Sequence, residues 1–172
     1  QQSMMFTNYY NHTTPTVTSL HGTLCSIYEV MGHSLWGSEE SFVLRNTDVL
    51  SIAQVLRDRG YETTFLGCVP RLWSHFDEIM QHLGFEQTLF VEQIHKMFPE
   101  IIAAYEEAVP DRTHQKNLPD LVMFQVLRAL VAKPSDRPKF TVITTVGTHF
   151  PYDFNEGSRY GDKIFLNALH NL

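Results

Sequence analysis

"SIAQVLRDRGYETTFLG", residues 51–67, passes from one hydrophobic period to another across a single glycine. Ile52, Val55 and Leu56 recur at helical spacing, on a helix that also carries Leu50 and that Thr47 can cap. Gly60 stands where a helix ends in a left-handed residue, and Tyr61 to Val69 follows as a β-rich run. A helix delivered straight into a strand is what a parallel sheet requires of its crossovers. Downstream the logic repeats: Phe76, Ile79, Met80 and Leu83 are spaced for a helix, Gly84 stops it, and Phe85 to Ile94 is expected to be extended. The fold class is therefore α/β with a mainly parallel sheet.

Upstream of this unit, Phe6 to Asn11 suits a short strand, and Leu20, Leu24, Ile27 and Tyr28 predict a helix from about Thr16 to Val30. Gly32 to Asn46 follows neither period and is expected to be a long surface loop. Downstream, Pro99 suits the first position of a helix reaching about Ala108, with Ile101, Ile102 and Tyr105 inward. A polar connection, Pro110 to Pro119, leads to a helix over Asp120 to Lys133. After a turn from Pro134 to Pro138, "KFTVITTV", residues 139–146, is dense in β-branched residues, so this strand should be central and buried. Gly147 to Tyr160 is a loop at that strand's end, where open α/β sheets bind their ligands, and a helix is expected from near Asp162 to Leu172.

Composition narrows the function classes. The chain has 172 residues, 43% of them hydrophobic, and 13 Lys+Arg against 19 Asp+Glu give a net charge of −6. Such an acidic balance, without a basic run, argues against nucleic-acid binding. The apolar runs fall well short of the ~20 residues that cross a bilayer, and the start of the sequence lacks the pattern of a signal peptide. Length suffices for one domain with a real core. Cys25 and Cys68 form no CxxC pair and have no His at zinc-ligand spacing. Two buried thiols, a disulfide and a reactive cysteine all fit.

Chemistry concentrates in two polar clusters. In "NHTTPTVTSLHGTLCS", residues 11–26, the hydroxyls of Thr13, Thr14, Thr16, Thr18 and Ser19 can simply cap a helix. One of them can instead be a nucleophile at the helix N-terminus, where free N–H groups and the dipole favour a phosphate or sulfate. A hydroxyl in that role needs a base or a divalent cation to ionise it. In "TTVGTHFPYD", residues 144–153, His149 follows the best strand. It is either an edge-of-core histidine or a donor and proton carrier at a site mouth. The other histidines form no HExxH pair, and His75 and His82 share one helix face; these are expected to be solvated.

"FTNYYNHTTPTVTSLHGTLCSI", "SIAQVLRDRGYETTFLG", "FDEIMQHLGFE" and "KFTVITTVGTHFPYD" occur in the order seen in sulfatase-like proteins. The chain resembles that branch of the alkaline phosphatase superfamily, and within it the lipoteichoic acid synthases and the phosphoglycerol or phosphoethanolamine transferases. Sulfatases carry a C/S-x-P-x-R pattern whose first residue becomes formylglycine. Here Thr16 occupies that place, followed by Val17, Thr18, Ser19 and Leu20, with neither the Pro nor the Arg. The resemblance thus implies that Thr16 is a metal-bound nucleophile that accepts a substituted phosphoryl group. It implies that His149, in "THFPY", contacts the oxygens of the transferred group. "VPRLWSHFDE" offers Arg71 and Trp73 for head-group binding, in an order that differs from the family's; a surface charge and a packing ring are the plain alternatives.

By the same resemblance the fold is a partial three-layer α/β/α sandwich, and residues 1–172 are the central part of one catalytic domain. The family's Asp or Glu metal ligand on the first strand and its later Asp-His pair would lie beyond the two ends, so the segment alone would not hold the divalent metal (zinc, manganese, magnesium or calcium). It would then be inactive and poorly soluble by itself. The expected substrate is a phospholipid or another anionic ester, handled outside the cytoplasm by a membrane-anchored protein. A sulfate or phosphate ester hydrolase and a catalytically silent anionic-glycan-binding domain share the fold and remain open.

Overall fold

The computed structural model describes residues 16–28, 49–108, 116–147 and 149. The expected strand at Phe6–Asn11, the loop at Gly32–Asn46, the Thr47 cap and the helix after Asp162 lie outside the described residues. Helices α1 (Thr16–Cys25), α2 (Ile52–Asp58), α3 (Phe76–His82), α4 (Val91–Met97), α5 (Pro99–Ala108) and α6 (Asp120–Ala132) accompany strands β1 (Glu62–Leu66), β2 (Gln87–Leu89) and β3 (Lys139–Ile143). The sheet order is β2-β1-β3. Glu62 N–H bonds the Pro138 carbonyl and Thr144 N–H the Leu66 carbonyl, so pairing advances in the same direction along both strands. The bonds Glu86 to Thr63 and Gly67 to Leu89 give the same sense on the other side. The sheet is parallel, as an α/β fold requires.

The chain divides into two compact units: residues 1–65, 72–88 and 135–141 in the first, and 66–71, 89–134 and 142–172 in the second. Each strand begins in the first unit and ends in the second. The first unit is built on aromatic packing. Phe65 is fully buried, with the rings of Phe76 and Phe85 at 6.1 and 5.6 Å, and Phe85 stacks on Phe140 at 6.3 Å. Geometries of this kind add to the area each ring removes from water. In the second unit α4 packs on α5 and α5 on α6. Ile94, Phe98, Ile102, Val122, Met123 and Val126 are buried there.

Both glycine stops take the form the spacing predicts. Gly60 and Gly84 each have φ of 87°. Tyr61 and Phe85 N–H groups reach back to the Leu56 and Met80 carbonyls, closing Schellman turns. α1 is shorter than expected, because Ser26 takes the same left-handed conformation (φ 55°) and Ile27 N–H bonds the Gly22 carbonyl. α2 starts later than Thr47 would have it: Ser51 is its cap, with Oγ accepting Gln54 N–H at 3.0 Å and donating to the Leu83 carbonyl.

The extended run ends at Leu89, well before Ile94. Gln93 Oε1 accepts the Phe90 N–H at 3.2 Å, and that contact opens α4, which buries Ile94 as a helical residue. β3 also departs from expectation. It stops at Ile143, is half-buried along its length, and among the described strands pairs with β1, which lies between it and β2. His21, expected to be solvated, is buried on the inner face of α1 with Val17, Thr18, Leu24 and Cys25. His75 and His82 are exposed as expected.

Candidate functional site

Thr16 opens α1 in the first unit and is exposed, whereas Val17 and Thr18 behind it are buried. α1 turns its apolar face into that unit and packs on α2, which leaves the Thr16 hydroxyl at the end where a helix has unpaired N–H groups. Trp73 belongs to the same unit. Its ring meets Phe76 edge-on at 5.0 Å while 44% of the residue stays exposed, so packing and an outward surface coexist in one side chain. The backbone here is unusual: Ser74 and His75, in the short 3-10 turn Trp73–His75 ahead of α3, both have positive φ, 49° and 55°.

Arg71 and His149 belong to the second unit. Arg71 is exposed, and its backbone N–H donates to the Glu92 carboxylate at 3.0 and 3.3 Å. His149 is exposed in the segment after β3, where its N–H bonds the Val146 carbonyl at 2.9 Å and closes a four-residue turn. Asp120, the first residue of α6, fastens the start of that turn: one carboxylate oxygen, Oδ1, accepts both the Val146 and the Gly147 N–H at 2.9 Å. A Cβ on Gly147 would lie 2.6 Å from the other oxygen, so glycine is the residue that lets the carboxylate so close. The sequence shows Asp120 only as a helix start after Pro119; its sole hint of more is the glycine that follows the best strand.

Cys68 lies beside Thr144, at the end of β3. It is buried, its N–H faces Thr144 Oγ1 at 3.4 Å, and its carbonyl accepts the Leu118 N–H at 2.8 Å. Burial pushes the Cys68 thiol up, the Thr144 hydrogen bond opposes the shift, and the Asp120 charge adds to it. Cys25 and Cys68 are both buried and are not joined in a disulfide.

A family model described as sulfatase matches residues 1–165. The chain belongs to the sulfatase family. Among solved structures, this sulfatase-family chain is similar to a protein of the alkaline phosphatase superfamily from Vibrio parahaemolyticus. That match has 18% identity and a TM-score of 0.67, over 88% of this chain and 34% of the other. It is also similar to the lipoteichoic acid synthase LtaP from Listeria monocytogenes, with 12% identity and a TM-score of 0.58, over 81% of this chain and 30% of the other. At these identities the likeness is one of fold. No curated protein matches the chain. The sulfatase-family chain thus spans about a third of the length of the structures it matches.

Members of the sulfatase family are enzymes acting on anionic esters, and they typically use divalent metals. Among the described residues no three His, Cys, Asp or Glu side chains converge as a cation would need. The described residues therefore do not by themselves make a metal site. No helix among them is long and apolar enough to cross a membrane.

Proposed function

We propose that this sulfatase-family chain carries the nucleophile of a transferase that moves a phospholipid head group, of the phosphoglycerol or phosphoethanolamine type, through a covalent intermediate on Thr16. The observation that supports the reading most is that Thr16, which the resemblance puts in the place of the sulfatases' formylglycine precursor, is exposed at the first turn of α1. In the first half-reaction the Thr16 hydroxyl gives up its proton as the Oγ1–P bond forms, the P–O bond to the diacylglycerol breaks, and the departing alkoxide takes up a proton, so that diacylglycerol leaves as the alcohol. In the second, an acceptor hydroxyl attacks phosphorus, loses its proton and restores the threonine. The N–H groups of the first turn favour the charge carried by the phosphoryl oxygens. The His149 ring donates to those oxygens, and Arg71 and Trp73 hold the head group. The acceptor is a sugar or lipid outside the cytoplasm, and the full-length protein is membrane-anchored. Divalent-metal dependence is part of the same reading.

The deciding experiment is peptide mapping of the full-length protein, metal-loaded, incubated with phospholipid vesicles and quenched in acid. A phosphoryl head-group adduct on the peptide bearing Thr16, absent from Thr16→Ala, is the expected result. Turnover without any adduct would replace the transferase with an ester hydrolase that uses water directly. Bound substrate with neither adduct nor turnover would leave a silent anion-binding domain.

A further inference from the structure

The Thr144 N–H bonds the Leu66 carbonyl at the end of the β1–β3 ladder, and beyond it the N–H groups of Val146 and Gly147 turn to a side chain 26 and 27 residues earlier. That side chain is Asp120. It stands at the first position of a 13-residue helix whose inner face, Val122, Met123 and Val126, is fully buried, so its backbone is held by the core of the second unit. A carboxylate there is also favoured by the positive end of the helix. Because Oδ1 takes both N–H groups and Gly147 closes on Oδ2, the carboxylate fixes the position and the direction of the chain as it leaves the sheet. Val146 then accepts the His149 N–H, so the histidine's backbone is one hydrogen bond away from the clamped residues.

We propose that Asp120, with Gly147, is the positioning element for His149, holding the turn that presents the imidazole to the transferred group. Asp120 touches no reacting atom in this assignment and acts only through the backbone of residues 146 and 147. The inference rests on the reading of His149 as a contact to the substrate's oxygens. A misplacement of about 1 Å at such a contact is enough to cost ~10²-fold in rate.

The test is a mutant cycle in the full-length protein, assayed by phospholipid turnover. Asp120→Ala is expected to lower kcat/KM by about 10–100-fold in the wild-type background and by less than about twofold in a His149→Ala background. Asp120→Asn keeps a carbonyl oxygen that can accept both N–H groups and should stay within about threefold of wild type. Gly147→Ala, which removes no polar group, should reproduce the loss by driving the carboxylate off. If Asp120→Ala fails to fold, Gly147→Ala and Asp120→Asn carry the cycle. Deuterium uptake across residues 144–149 should rise in the Gly147→Ala and Asp120→Ala proteins and not in Asp120→Asn. Equal losses in both backgrounds, or unchanged uptake, would overturn the positioning role alone. Full activity in His149→Ala would remove the histidine's role and this proposal together, while the Thr16 adduct would still report on the nucleophile.

Discussion

At Glu86 one arginine sets the charge state of a carboxylate. Arg137 Nη2 lies 3.0 and 2.8 Å from its two oxygens while Nε donates to the Gly60 carbonyl at 2.9 Å. The Arg137 hydrogen bond holds the Glu86 carboxyl below the ordinary carboxylate range. A depressed folded-state pKa stabilises the protein above the unfolded value and ceases to do so as pH falls through the folded one. Glu86→Gln should therefore have a lower urea midpoint than wild type at pH 7, and the two should converge below the ordinary Glu value of about 4.3. A gap that persists once the pH has fallen far enough to protonate the folded carboxylate would assign the loss to packing. Cys68 gives a second expectation: with its thiol buried and pushed up, the native protein should leave it unlabelled by a thiol reagent at pH 8 until denaturant is added. The placement of His149 after a β-branched strand was legible because Gly and Pro bracket it in the sequence. The work of Asp120 was not, since a lone acid after a proline looks like any helix start and its partners lie 26 and 27 residues away.

Among elements, the α2–β1 and α3–β2 junctions show which signals are local enough to be read. A Schellman turn needs a left-handed residue and two carbonyls of the helix it ends, all within one stretch of chain, and glycine announces it. Caps are less exclusive. Thr47 and Ser51 have the same chemistry, and what selects Ser51 is the Leu83 carbonyl on another helix, invisible in the local pattern. Ser51→Ala should cost about 0.5–2 kcal/mol for the cap, and more for the buried Leu83 carbonyl left without its donor. Gly84→Ala should destabilise further: beyond about 1–2 kcal/mol for a left-handed alanine, its Cβ would meet Gln54 Cα and Cβ at 2.9 Å on α2. Urea midpoints measure both. The boundary between β2 and α4 was misread because a short apolar run fits either period until a side chain such as Gln93 chooses.

For the whole molecule, class was legible in the sequence, and the order of the described strands was not. Repeated helix–glycine–strand units dictate crossovers and hence parallel strands, whereas β-branched density in "KFTVITTV" reports a favourable pleated surface and says nothing about rank in the sheet. Among the described strands the middle one is β1, whose Phe65 is fully buried against two other rings. Phe65→Ala should cost about 3–5 kcal/mol, enough to abolish the cooperative thermal transition of a marginally stable protein. A Tm within a few degrees of wild type would contradict that weight. The strand order also sets a schedule. Partners across β1 and β2 are 23 residues apart in the chain, whereas those across β1 and β3 are 76 apart. On the ribosome, β1 can close against β2 as soon as both have emerged, and must then wait with its other edge open for β3 to be synthesised. High contact order slows that second closure, and an open strand edge is a template for pairing with another chain. The interval between the two closures is when the nascent chain most needs a chaperone.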